Sequence, residues 1–332
     1  MRLIRSSGMA LLGALVIAAC GGGSNTPSGV KTITINQSFL RNSYPVVLGP
    51  GVSTVFGAAF PSIGGNDVVV MSPASTVGQF LDKPEGKYLF HTHIADDGTS
   101  GRVYKMTKAI VTKYSPTKAA ILLPQDPIGE LFGPAFKSAL SSSNVSVVYD
   151  QRFPSAQRDF SSYIAAIKAA APDVVFIPYL NTWAVPFLTQ AIQVGYTSPI
   201  FVGSPGTSST TIQGKTDQIK KFVWSVTTRA TESTTDQQVA DFRTKYKAFF
   251  NKDADANTFW MLSYYDEVLM LPKVFQQAGS VSDPKAITAA FQKVNSWPGK
   301  TLNLTFDSTR TVVYTPQLAF FENGNLTYQD AK

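Results

Sequence analysis

Ala119-Ala120-Ile121-Leu122-Leu123, then a polar turn, then Leu131, Phe132, Ala135, Phe136, Ala139 and Leu140: this is the unit that decides the fold. The first five residues form a short apolar run. The last six keep the i, i+3, i+4 spacing that gathers apolar side chains on one helical face. The unit recurs. Apolar runs at 145–149, 173–177 and 199–202 read as further strands. Phe160, Ile164, Ile167 and Ala171 make a second helical stripe, and Ala184, Phe187, Leu188, Ala191 and Ile192 a third. Short strands alternating with single-striped helices specify an α/β fold with a parallel sheet and helical crossovers. Such strands are buried on both faces and offer ligands their carboxyl ends, so a site is expected in the loops that follow them.

The beginning of the chain reads differently. Arg2 and Arg5 precede an apolar run over 9–19, too short for a permanent membrane span and suited to a secretory signal. It ends Ile17-Ala18-Ala19-Cys20, which looks like a bacterial lipobox, with cleavage before Cys20 and a lipid on its sulfur. Cys20 is the only cysteine, so no intramolecular disulfide is available. Residues 1–19 are thus read as a signal peptide and 20–30 as a lipidated flexible tether, anchoring the protein on the periplasmic or cell-surface face of a membrane. The alternative is an ordinary cleaved signal with a chance cysteine.

About 310 residues remain after cleavage, enough for two lobes. The formal charge of +7 falls to +5 when Arg2 and Arg5 leave with the signal. The other basic residues are scattered and accompany no nucleic-acid module, so no nucleic-acid partner is expected.

Several ordered motifs resemble the type I periplasmic binding proteins of branched-chain amino acid transport. They are Asp159-Phe160-Ser161, the run Ile164-Ala165-Ala166-Ile167-Lys168-Ala169-Ala170, and Pro172-Asp173-Val174-Val175-Phe176. Gln190-Ala191 with Val194-Gly195, Val47-Leu48-Gly49-Pro50, and Val70-Met71-Ser72-Pro73-Ala74-Ser75-Thr76 add to them. The resemblance implies two doubly wound parallel-sheet lobes around a cleft. Residues 31–115 with 257–310 would form the first lobe and 116–256 with 311–332 the second. One departure is large. Only residues 37–44 stand where the family has a helix, a strand and another helix, so on the order of 60 residues are absent and the first lobe is expected to be truncated.

By the same resemblance, the turn at 51–54 and that at 72–76 would hold a ligand's carboxylate through Ser53, Thr54, Ser72, Ser75 and Thr76. An anion at a helix start meets unsatisfied N–H donors, although Ser53 and Ser75 read equally as helix caps. In the second lobe Tyr179, Asn181 and Trp183 would line the cleft, with Trp183 equally readable as packing on its own helix. The acidic position that pairs a ligand's ammonium aligns near Pro205, which carries no charge. An unpaired ammonium in a closed cleft is costly, so a carboxylate, amide or aromatic ligand competes with a free amino acid.

Enzyme motifs fail on inspection. No Gly-x-Ser-x-Gly is present, and Gly214-Lys215-Thr216 has Ser209 where a phosphate loop needs glycine. Ser115-x-x-Lys118 and Ser282-x-x-Lys285 both contain proline and read as turns. His91 and His93, with Asp96 and Asp97 nearby, share one face of a strand; metal binding is the minor reading, and no metal or cofactor is expected. The expected function is that of a non-enzymatic, lipid-anchored solute-binding protein. It would deliver a small polar solute to an ABC permease in the inner membrane. The alternative is a binding-protein-like lipoprotein serving as a sensor or interaction partner, with or without a ligand.

Overall fold

The computed structural model describes residues 14–16, 44–64, 66–96, 98, 101–179, 181–197, 200–203, 218–226, 237–254, 258–299 and 303–331. Two sheets organise them. In the first, β1 (Ala14–Val16), β2 (Val46–Leu48), β3 (Val69–Ser72) and β4 (Leu89–His91) run parallel in that order. α1 (Ser53–Ile63) connects β2 to β3, and a 3-10 turn, Ser75–Phe80, follows β3. Successive side chains of a strand point to opposite faces. Val46, Leu48 and Met71 accordingly pack with Leu271, Val274 and Phe291, whereas Val47, Val70 and Leu89 pack with Phe56 and Phe60 of α1. Residues 31–36, whose alternating Thr and Ile read in sequence as a strand, lie outside the described residues. The place beside β2 is held by β1, from the apolar run read as a signal, with Ala14, Leu15 and Val16 opposite Val46, Val47 and Leu48.

α2 (Arg102–Tyr114) carries the chain to the second sheet. Val103, Met106 and Ile110 already belong to the second core, and Lys113 and Tyr114 both bind Glu322, at 3.1 and 2.8 Å. The apolar stripe of this helix therefore packs on the second core although its residues precede 116. The recurring unit then appears as expected: β5 (Lys118–Pro124), α3 (Pro127–Ser141), β6 (Ser146–Phe153), α4 (Ser161–Ala170), β7 (Val174–Phe176), α5 (Asn181–Gln193) and β8 (Ile200–Gly203). β9 (Lys221–Val226) and α6 (Gln237–Phe250) follow and are not among the expected elements.

The chain returns through α7 (Phe259–Ala278) and α8 (Pro284–Gln292), with a small ribbon of β10 (Trp297–Pro298) and β11 (Asn303–Leu304), before β12 (Gln317–Glu322) and β13 (Asn325–Asp330) complete the second sheet. That sheet runs β13-β12-β9-β8-β7-β5-β6, parallel from β6 to β9 and antiparallel beyond. The turn Glu322-Asn323-Gly324-Asn325, which reads in sequence as a hairpin, joins β12 to β13 with Asn323 and Gly324 both at positive φ, 49° and 85°, the geometry that Asn-Gly turns favour.

Residues 311–321 read in sequence as one strand but are divided in the structure: Thr311 bridges His91 and Val312 bridges Phe306 in the first lobe, while β12 starts only at Gln317 in the second. Pro316, lacking an N–H, sits between the pieces. The run over 259–275, apolar nearly all round in sequence, reads as wholly buried, yet α7 is not apolar on its whole buried side. Val268 and Leu269 are exposed, and Asp266 and Glu267 are buried in their stead. Among the described residues no helix is long and apolar enough to cross a membrane.

Candidate functional site

In both sheets the carboxyl ends of the parallel strands feed the loops that matter, and α3 of the second lobe lies against α1 and the Ser75–Phe80 turn of the first. The cleft is bounded there. On the first-lobe side, Ser53 is the first residue of α1 after Val52, and Ser75 the first residue of its turn after Ala74. The capping positions are thus Val52 and Ala74, neither with a side-chain cap. Ser53 is buried, and Thr54 follows it in the helix with a side chain outside the described set.

Ser72 and Thr76 hold the two turns in place. The Ser72 hydroxyl donates to the Pro50 carbonyl at 2.5 Å and accepts from the Ala74 N–H at 3.2 Å. The Thr76 hydroxyl donates to the Ser53 carbonyl at 3.3 Å. Their side chains therefore join the loop after β2 to the loop after β3. Ser75 faces Asp96 and favours its charge.

Beyond β4 lies a buried charged knot. Asp96 pairs with Arg102 at 2.6 Å, both side chains almost wholly removed from solvent. Burial alone would raise the Asp96 pKa, but Arg102 first and His93 next outweigh it, and the carboxyl titrates below its ordinary range. Arg102 also lies 5.4 Å from the Phe132 ring of α3. The pair thus sits where the chain passes between lobes, and Tyr314 on the last crossing is close enough to feel both charges. His91 and His93 stack at 6.0 Å, and burial lowers their pKa values to about 3 and about 4. They are neutral at physiological pH. Asp97 lies outside the described residues, and among those described no group of three or more His, Cys, Asp or Glu is placed to hold a metal ion.

The second-lobe side is built from aromatic rings and three loops. Tyr179, after β7, donates its hydroxyl to the Asp126 carboxylate, which also caps α3 by accepting from the Gly129 N–H at 2.7 Å. Burial first, and Asp126 second, raise the Tyr179 pKa. Trp183 donates its indole N–H to the Ser155 carbonyl at 2.9 Å and meets Tyr179 and Phe153 edge to face, each at 5.5 Å. Tyr179 and Trp183 consequently fasten together the loops after β5, β6 and β7. Asn181 begins α5, its side chain outside the described set, as are residues 204–217, which contain Pro205 and Gly214-Lys215-Thr216.

Sequence reasoning missed three groups. Asp126 carried a legible signal, an acid before proline at a helix start. Glu267 and Tyr264 lay inside an apolar run and gave none. Tyr264 approaches Gly51 so closely that a Cβ there would stand 2.7 Å from its hydroxyl. Glu267 is 1% exposed, and burial raises its pKa to about 8.

Comparison with known proteins agrees with this architecture. The profile of the family described as "Periplasmic binding protein" matches residues 28–317. A Leu/Ile/Val-binding protein of Rhizobium johnstonii is 23% identical over 264 residues, which cover 79% of this chain and 69% of the relative. The crystal structure of a leucine binding protein from Thermotoga maritima superposes with a TM-score of 0.72 at 17% identity, covering 88% of this chain and 81% of the other. An ABC transporter solute binding protein of R. palustris in complex with benzoate gives 0.72 at 16% identity, covering 89% and 79%. The branched-chain amino acid transporter substrate binding protein of Streptococcus pneumoniae in complex with isoleucine gives 0.68 at 20%, covering 87% and 80%.

Proposed function

The chain belongs to the periplasmic binding protein family, and from that premise we propose that it is an extracytoplasmic solute-binding lipoprotein. It receives a small polar solute, an amino acid, amide or carboxylate, and delivers it to an ABC permease in the inner membrane. The observation that carries this reading is the meeting of two sets of strand-end loops, with the turn at Ser53 and Ser75 facing α3 across a multiply crossed hinge. Parallel sheets bind ligands at this edge, and such a hinge lets closure follow binding. Ser53, Thr54, Ser72, Ser75 and Thr76 form the first-lobe wall, the last three chiefly by shaping the backbone; Tyr179, Asn181 and Trp183 belong to the opposite wall. Cys20 is the attachment point of the lipid anchor. The mechanism requires no covalent chemistry, since differential affinity for the closed state suffices.

A panel of amino acids, amides and carboxylates, screened by thermal melting, tests the reading. A ligand that binds only the native state raises its stability by RT ln(1 + [L]/Kd). One solute class is expected to raise the melting temperature by several degrees. A cooperative melt that nothing shifts favours the sensor or interaction-partner role. One observation supports that second reading: Tyr179 and Trp183 direct their polar atoms to groups of their own lobe.

A further inference from the structure

Four polar atoms converge on one edge of the first sheet. Tyr264 and Glu267 stand three residues apart on α7 and so share a helical face. Tyr264 reaches Gly51 in the loop after β2, with Pro73 of the loop after β3 beside the same spot. Thr92, which follows β4, faces the Glu267 carboxyl. The loops after all three strands therefore meet this face of the return helix, at the edge where parallel sheets present ligands. Yet Glu267 Oε1 and Oε2, Thr92 Oγ1 and Tyr264 Oη are all buried and make no hydrogen bond of ordinary geometry among the described residues. Buried polar atoms are almost always paired, and a cluster of unpaired ones calls for an occupant. All four can accept, the two hydroxyls being able to donate as well and the carboxyl becoming a pure acceptor once deprotonated, which suits a group with several N–H donors. In the second lobe the nearest cleft acid, Asp126, is already engaged by Tyr179 and the Gly129 N–H.

Resting on the solute-binding reading above, we propose that Glu267, with Thr92 and Tyr264, receives the cationic amino group of the ligand, so that the solute class is amino acids and amines rather than simple carboxylates. The acid near Pro205 is then unnecessary, its role having moved to the first lobe. Binding displaces a proton. The Glu267 O–H bond breaks, the proton passes to solvent, and the carboxylate pairs with the ammonium. Burial holds the free carboxyl protonated up to about pH 8. The groups bearing on it are Thr92 from the end of β4, which favours its charge, and Asp266 on its own helix, which opposes it; Tyr264 also feels it, and His91 is neutral.

The test uses the full-length chain, processed by its host and recovered in detergent, titrated calorimetrically with each common amino acid, with cadaverine, and with 4-methylpentanoate and benzoate as nitrogen-free probes. Titrations run between pH 6 and 8.5 in two buffers of different protonation heat. An amine-bearing probe is expected to bind with release of about 0.9 proton at pH 7 and a Kd falling about tenfold per pH unit up to about pH 8. Glu267→Gln, still melting cooperatively, is expected to lose roughly 30-fold or more in affinity for that probe, and to release no proton. Should the variant not fold, proton release by the wild type decides. Amine binding without proton release, or nitrogen-free acids alone binding and doing so equally to Glu267→Gln, overturns the assignment while leaving solute binding intact. No binding by any probe overturns both.

Discussion

Both lobes are built on parallel strands with helical crossovers, and they differ in what they bury. Among the described residues, and setting tyrosine and tryptophan aside, every buried polar or charged side chain lies within 53–107 or 258–311; Arg102 and Thr107 stand on the connecting α2, and none lies from β5 to α6. The second core is instead a continuous packing of Phe132, Phe136, Phe153, Phe160, Phe176, Phe187 and Phe201 with aliphatic neighbours. The first sheet, with strands of three and four residues, encloses His91, His93, Asp96, Arg102, Asp266 and Glu267. One lobe is packed by dispersion and area; the other buries titratable groups and is expected to be the less stable for it.

Acid should break the comparison most strongly. His91 and His93 have folded pKa values of about 3 and about 4 against an ordinary 6.5, so the native state binds fewer protons than the unfolded one below that value. Their contribution is complete above about pH 6.5 and is lost as the pH falls. The two histidines together account for a loss on the order of 5 kcal/mol between pH 6.5 and 4, which relief of the buried Glu267 carboxylate offsets by about half, so urea titrations should show a net loss of about 3 kcal/mol, and hydrogen exchange should locate the weakening in the first lobe. Equal weakening of β5 to β9 would contradict this asymmetry. Arg102→Ala leaves Asp96 charged and unpaired in the interior, and is expected to cost about 3–5 kcal/mol by denaturant midpoint.

Glu267→Gln should act in the opposite direction. Because burial raises its folded pKa to about 8 from 4.5, the carboxyl costs nothing extra below 4.5 and progressively more as the pH rises to about 8. The variant is expected to be more stable than the wild type by up to about 1.4 kcal/mol per pH unit across that window. A gain in stability beside a loss of ligand would mark Glu267 as functional rather than structural. In the second lobe, Trp183→Phe removes the bond to Ser155 and keeps most of the ring contact, for an expected loss of about 1 kcal/mol in the thermal melt.

This contrast also explains what could be read from the chain. Residues 118–203 were legible because each strand is a full apolar run and each helix shows one stripe, so local pattern and tertiary role coincide. β9 and α6 escaped because Lys221–Val226 follows a long polar stretch and Gln237–Phe250 buries little more than Val239, Phe242 and Tyr246. α7 misled for a better reason. Apolarity on every side suggested general burial, whereas the helix turns Asp266 and Glu267 inward and leaves Val268 and Leu269 outside. Likewise Ser72 and Thr76 stand out in the sequence as site candidates, but that their hydroxyls join two loops depends on contacts 22 and 23 residues away.

The seam between β12 and β9 sets a kinetic order. Gln317 to Glu322 finds Val226 to Lys221 only after residues 227–316, including α7 and α8 of the other lobe, have been brought round. Closing so long a loop sacrifices chain entropy before any ladder contact offsets it, so this edge is expected to zip late. The lobe with the stronger core therefore waits for the weaker one. The two should appear in refolding as one slow unit, with β9 exposed as an adhesive edge in whatever intermediate precedes it.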